Sequence, residues 1–223
     1  GTALYSPDHD QSSVRRLAIL GELRSAIREG QMVLHYQPKL DLRTRELAGC
    51  EALVRWQHPE FGLVPPNEFI ELAEVSGVIQ PLTRWVLETA VDQVAAWRRD
   101  GIDLGVAVNL SVRNLYEVDL VDWVAAILRE LEVPPSRLVV EITESTVMDD
   151  QLAAIEVIEG LRRLGVRTWI DDFGTGHSSF ARLRSLPVHG IKIDRAFVSA
   201  ATSSETDRVI LRGIIDLVHS LGL

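Results

Sequence analysis

Five short apolar runs in this chain each end in a carboxylate or an amide, and few folds can accommodate that pattern. The runs are residues 50–55, 106–111, 139–144, 168–174 and 190–194. Apolar stretches this short, separated by helical patterns, read as buried parallel strands. A buried strand holds acids only where they are paired or bind a cation. Glu51, Asn109, Glu141, Asp171 and Asp172 in these runs are therefore the main clue to what the chain does.

The segments between the runs are amphipathic. Leu17, Leu20, Leu23 and Ile27 recur at helical spacing within residues 14–30, and Gly30 suits the C-terminal cap. Residues 32–41 read as a further strand. A Pro- and Gly-rich loop (58–66) leads to a helix for which Asn67 is the expected cap, then to a long helix over 81–100 carrying Trp85 and Trp97. Helices are also expected over 120–131, which carries Trp123, from Asp149-Asp150 to Gly165, and over 203–221. Apolar spacing assigns the three tryptophans to buried helix faces. Strand–helix alternation argues for a helix-covered parallel sheet, and an open doubly wound sheet has the same period. A barrel follows from the polar strand ends, which converge on one point only if the strands surround it.

The chain has 223 residues, 46% hydrophobic and 25% charged, the size of one α/β barrel domain or slightly less. A net charge of -9 excludes binding a nucleic acid polymer through general basicity. It leaves room for an anionic substrate, because divalent cations invert the local field. Cys50 is the only cysteine, so there is no internal disulfide, which fits a cytoplasmic setting. No apolar run reaches the roughly 18 residues of a membrane span. Residues 1–13 are polar and turn-rich and read as a linker or the tail of a preceding domain, with 14–30 as connecting helix and 31–223 as the main domain.

The candidate ligands offer oxygen only, which suits Mg²⁺ or Mn²⁺ and suits Zn²⁺ poorly. Asp171 and Asp172 would face opposite sides of a regular strand. They share a site only where the strand bends, and the glycines that follow permit a bend. Two acids there can bridge or separately hold two metals, the usual arrangement for displacement at a phosphoester. Lys192 would hold the nucleophilic water or neutralise phosphate charge, with an ammonium pKa open to depression near metals. Arg55, on the same strand face as Glu51, suits a phosphate oxygen. Each residue alone has an ordinary structural reading: an ion pair, a strand-end cap, a turn, a snorkelling lysine. Their joint placement at matching strand ends favours a site.

At these residues the chain resembles the EAL domain family of cyclic di-GMP phosphodiesterases. Glu51-Ala52-Leu53-Val54-Arg55 matches the motif that names the family. Tyr36-Gln37-Pro38, Val108-Asn109-Leu110-Ser111, Glu141-Ile142-Thr143-Glu144, Asp171-Asp172-Phe173-Gly174-Thr175-Gly176 and Ile191-Lys192-Ile193-Asp194 match its other motifs in order. The resemblance implies an α/β, TIM-like barrel with one antiparallel strand, lacking its last one or two strands in this chain. It implies Mg²⁺- or Mn²⁺-dependent hydrolysis of cyclic di-GMP to linear pGpG, the alternative being an inactive cyclic di-GMP-binding module. Carried over by motif, Glu51, Asn109, Glu141 and Asp171 would hold the first metal, and Asp171 with Asp172 the second. Lys192 would order the attacking water. Gln37, Leu53 and Arg55 would contact the dinucleotide, with Asp194 at the metal rim, and Glu144 would anchor the loop 172–179. His177 stands where the family more usually has an aromatic. A further family Glu and Gln fall beyond Leu223, so the chain is expected to be cut from a longer protein, with an upstream GGDEF domain and a homodimeric assembly.

Overall fold

The computed structural model describes residues 7–149, 151–174, 183 and 186–223. The expectations for residues 1–6, for Asp150, and for Thr175, Gly176 and His177 lie outside the described residues. The strands are β1 (Met32–Leu40), β2 (Leu47–His58), β3 (Gly62–Val64), β4 (Val106–Leu110), β5 (Leu138–Thr143), β6 (Arg167–Phe173) and β7 (Gly190–Ile193). The helices are α1 (Pro7–Arg28), α2 (Pro66–Ser76), α3 (Ile79–Arg99), α4 (Leu120–Glu130), α5 (Glu144–Asp149), α6 (Gln151–Leu164), α7 (Arg195–Ala201) and α8 (Glu205–Ser220).

The strands form one seven-stranded sheet in the order β1-β2-β4-β5-β6-β7, with β3 paired to the end of β2. From β2 to β7 the pairings on this path are parallel, whereas β1 and β3 run antiparallel to β2. The sheet is open among the described residues, with β1 and β7 at its two ends.

Several boundaries differ from the sequence reading for local reasons. Helix α1 already covers residues 7–13, ahead of the expected start at residue 14. Its C-terminus closes as expected: Gly30 has φ +71, and the Gln31 N–H donates to Ala26 O at 3.0 Å, a Schellman closure. Helix α2 starts at Pro66 with Pro65 as its cap, so Asn67 lies inside the first turn. The expected last helix is α8, capped by Ser204 through the Asp207 N–H, and a short helix that the sequence reading did not expect, α7, precedes it.

Strand parity decides which side chains meet. Cys50, Ala52 and Trp56 of β2, Val106, Val108 and Leu110 of β4, and Val140 and Ile142 of β5 are buried toward the helices. They pack with Phe69, Leu72, Leu82, Val86, Leu87, Ala90 and Val94 of α2 and α3, and with Ile158 and Leu161 of α6. Trp85, Trp97 and Trp123 pack partly buried against the same core, on the helix faces that spacing assigned to them. The intervening residues of each strand point to the opposite, concave face, and the polar residues collect there.

Candidate active site

The concave face carries Gln37 and Lys39 of β1, Glu51, Leu53 and Arg55 of β2, Asn109 of β4, Glu141 of β5, Trp169 and Asp171 of β6, and Lys192 of β7. Register sets their heights. Glu51 pairs with Ala107, Asn109 with Glu141, and Glu141 with Trp169. Asn109 lies two residues past Ala107, and Asp171 two past Trp169. The polar residues thus climb along the strands from β2 to β6, and strand tilt in a barrel-type sheet offsets that climb and brings them level. Asn109, Glu141, Asp171 and Lys192 lie in the C-terminal halves of their parallel strands, the end at which barrel sites form.

Carboxylate oxygens of Glu51, Glu141 and Asp171 lie within 4.8 Å of one another. Lys192 Nζ donates to all three: Asp171 Oδ2 at 2.7 Å, Glu141 Oε2 at 2.6 Å and Glu51 Oε2 at 3.0 Å. Asn109 Nδ2 donates to Glu51 Oε1 at 2.8 Å, which leaves its carbonyl oxygen as acceptor. The Glu141 side chain is fully buried.

Protonation follows from these contacts. Burial and then the Glu51 charge push the Glu141 carboxyl up, against the two lysines. Glu51 is also pushed up by burial, but the Asn109 hydrogen bond and the Lys192 charge outweigh that and hold it below its ordinary value. Without metal, Lys192 is shifted the other way from the depression expected beside metals. Burial alone would lower it, but hydrogen bonds to Asp171 and Glu141 raise it above the ordinary lysine range. It is a permanently charged donor here, with three N–H bonds committed to three carboxylates.

Asp172 has φ +53, and the β6–β7 register breaks between Ile170 and Phe173. That break ends strict alternation where two adjacent acids have to approach one site. Asp172 lies outside the three-carboxylate group, yet it is close electrically: burial, then the Asp171 and Asp194 charges, push its carboxyl up. The Asp194 carboxylate itself caps α7, accepting the Ala196 N–H at 2.7 Å. The Glu144 carboxylate, buried at the start of α5, accepts the Gly174 N–H at 3.0 Å. Gly174 has φ +103, and a Cβ there would meet Phe197 Cε2 at 2.7 Å.

Beside this cluster lies a mainly apolar cavity of about 290 Å³, lined in part by Leu53, Arg55, Glu74, Asn109, Ser111 and Thr143. Arg55 Nη1 donates to the Val54 carbonyl at 2.8 Å. Gln37 lies directly across the β1–β2 ladder from Glu51. Ser111 braces the segment after Asn109: its hydroxyl donates to Glu74 at 2.7 Å and accepts the Arg113 N–H at 3.2 Å.

Sequence reasoning missed two inward residues. Lys39 Nζ contacts Glu141 Oε1 at very short range, lies 3.9 Å from Glu51 Oε2, and sits 5.1 Å from the centre of the Trp169 ring. The signal was present, since Lys39 follows Gln37 by two residues and Trp169 precedes Asp171 by two, the period of a shared strand face.

The donor set fits a hard divalent cation. It is all oxygen, and Lys39 and Lys192 already bring cationic charge onto the same three carboxylates.

Comparison with known proteins agrees with this geometry. A sequence model of the EAL domain matches residues 20–223. The chain is 40% identical over 220 residues to the cyclic di-GMP phosphodiesterase PdeR of Escherichia coli (strain K12), covering 99% of this chain and 33% of that protein. It is 39% identical over 224 residues to the bifunctional diguanylate cyclase/cyclic di-GMP phosphodiesterase MucR of Pseudomonas aeruginosa, covering 100% of this chain and 33% of that one. It thus spans about a third of the length of these curated relatives. The structure of the PaMucR phosphodiesterase in complex with c-di-GMP superposes with a TM-score of 0.87 at 41% identity, over 92% of this chain and 84% of that one.

Proposed function

This chain belongs to the EAL domain family, and from that premise we propose that it hydrolyses one phosphodiester of cyclic di-GMP, with Mg²⁺ or Mn²⁺, to give linear pGpG. The observation that carries the reading is the convergence of Glu51, Glu141 and Asp171, from three different strands, on a region 4.8 Å across that Lys192 also reaches. Three acids gathered at the rim of a sheet with their charges this close cost stability. That cost makes sense where cations are to be bound.

Glu51, Asn109 (through its carbonyl oxygen), Glu141 and Asp171 would hold one metal, and Asp171 with Asp172 a second. When bound, the metals supply Lewis acidity toward the phosphate and lower the pKa of a water to make the nucleophile. In the reaction an oxygen–phosphorus bond forms to that water, the bond to one 3′ oxygen breaks, and the released 3′ oxygen takes a proton. Lys192, held as an ammonium by Asp171 and Glu141 in the metal-free site, would contribute as a charged donor. To orient water or a phosphate oxygen it must give up one of its three carboxylate contacts. Leu53 and Arg55 line the cavity beside the acids, a position suited to a nucleotide base and its phosphate. Gln37 faces the same side from β1. Asp194, engaged at the helix cap, would act on the site through its charge, and Glu144 by fixing the turn after β6.

Two relatives whose names include cyclic di-GMP phosphodiesterase support the activity. The name of MucR, which also includes diguanylate cyclase, together with the partial coverage, supports an upstream GGDEF domain in the protein carrying this sequence. We extend the proposal to residues 31–223 as the EAL domain, preceded by the connecting helix, and to a homodimer acting in the cytoplasm. No helix among the described residues is long and apolar enough to cross a membrane. The test is chromatographic detection of pGpG from cyclic di-GMP with Mg²⁺ or Mn²⁺, compared with chelator and with Glu51→Gln. Turnover lost in both controls supports the proposal. Tight cyclic di-GMP binding with no turnover in metal would make the domain a binding module.

A further inference from the structure

Lys39 has no part in the mechanism above, yet it is placed as carefully as any residue in it. It sits on β1 opposite Gly49, where Gly105 O at 2.9 Å from an ideal Cβ rules out a side chain, so no side chain stands directly across the ladder from it. Its ammonium reaches Glu141 Oε1, the oxygen that Lys192 does not use. The Trp169 ring, whose backbone is the register partner of Glu141, lies 5.1 Å from that ammonium and fixes it by cation–π attraction. The Lys39 side chain retains 24% exposure, whereas that of Glu141 retains none. Glu141 therefore has a cation on each oxygen, one from each end of the strand order.

This arrangement has two consequences for a metal. One Glu141 oxygen is already engaged, so the carboxylate is presented to the centre of the site through Oε2 alone. A fixed positive charge also stands beside Glu141 and 3.9 Å from Glu51, where it opposes a divalent cation bound by the same acids. We propose that Lys39 is a positioning residue of the metal site: it holds the buried Glu141 carboxylate in place in the metal-free protein, and it weakens the hold on a divalent cation once that cation binds. The domain thereby stays folded without metal and releases it more readily. This rests on the metal-binding reading above.

The test compares wild type, Lys39→Met and Lys39→Arg by thermal unfolding in EDTA and in excess Mn²⁺, with Mn²⁺ affinity read separately by calorimetry. Lys39→Met should unfold at lower temperature than wild type in EDTA and gain more from Mn²⁺. The extra gain should be about 3–6 °C, matching roughly tenfold tighter ion binding. Lys39→Arg should keep the wild-type response. A Mn²⁺-induced shift in Lys39→Met equal to or smaller than that of wild type would overturn the inference, because a lysine that only packs against Trp169 lowers both curves equally. A Lys39→Met chain that stays unfolded in both solutions also counts against it, since the ion then fails to replace the ammonium. A wild type with no response to Mn²⁺ would instead remove the metal reading itself.

Discussion

Replacing Lys192 by methionine should be the most damaging single change to this domain in chelator. The side chain fits sterically, so the loss is electrostatic. Three carboxylates would be left with Lys39 as their nearest cation, and one of them, Glu141, is fully buried. Breaking a buried ion pair from one side costs about 3–5 kcal/mol. Glu51 and Asp171 retain 14% and 16% side-chain exposure, so water relieves part of that, and the low end of the range, about 3 kcal/mol, is the better figure. For a domain of this size that corresponds to a fall of about 6–12 °C in Tm. The pH dependence has a definite sign. A lysine with a raised folded pKa contributes fully below its ordinary value and loses that contribution only as pH rises through the raised one. The wild-type contribution therefore persists up to the ordinary lysine value of about 10 and is lost only above it. The penalty in Lys192→Met should instead shrink as pH falls, beginning above the ordinary carboxylate value, because Glu141, already pushed up, is the first orphaned carboxylate to take up a proton. Urea unfolding followed by circular dichroism in EDTA measures both effects. Adding Glu141→Gln to Lys192→Met should recover about half the loss, since it removes the most buried orphan. A loss under about 1 kcal/mol, the level of an exposed pair, or no recovery in the double variant, would refute the electrostatic account of the site.

Asp172→Asn should match wild type near pH 3 in chelator and gain on it as pH rises above 3.8, because burial and neighbouring charge disfavour the ionised acid in the folded state; a less stable variant at pH 7 contradicts this. The same variant should bind Mn²⁺ more weakly by calorimetry. Glu144→Ala removes the acceptor of the buried Gly174 N–H contact and should lose about 1–3 kcal/mol, with faster hydrogen exchange at the Gly174 amide as the local readout. Gly174→Ala drives a Cβ to 2.7 Å from Phe197 at φ +103 and should lose about 2 kcal/mol or more by urea unfolding.

The strand positions were legible in the chain because their residues are apolar, short and separated by helical patterns. All six strands read from sequence appear within a few residues of where spacing put them. The seventh, Gly62–Val64, is three residues inside a loop rich in Gly and Pro, and it exists only because the end of β2 offers it partners. At the site, the inward residues were legible wherever parity could be counted from a motif. The ion pairs were not. Which ammonium meets which carboxylate depends on strand order and stagger, and residues 141 and 192 are brought together across 51 positions by pairing that no local pattern encodes. The cap made by Asp194 was likewise invisible, since the same residue at a strand end serves equally as a ligand or as a helix start.

The left-handed backbone at Asp172 narrows what can ever stand there. Branched or bulky side chains meet a steric wall at φ +53, whereas Asp, Asn and Gly are accommodated. Of these three, only Asp carries charge. Genetic drift at this position therefore has a shallow path, from Asp to Asn or Gly, along which the fold survives and the second carboxylate disappears. If Asp172 holds the second metal as proposed, a lineage relieved of the need for turnover would shed it here, and the residue at this one turn would mark whether selection still maintains the chemistry.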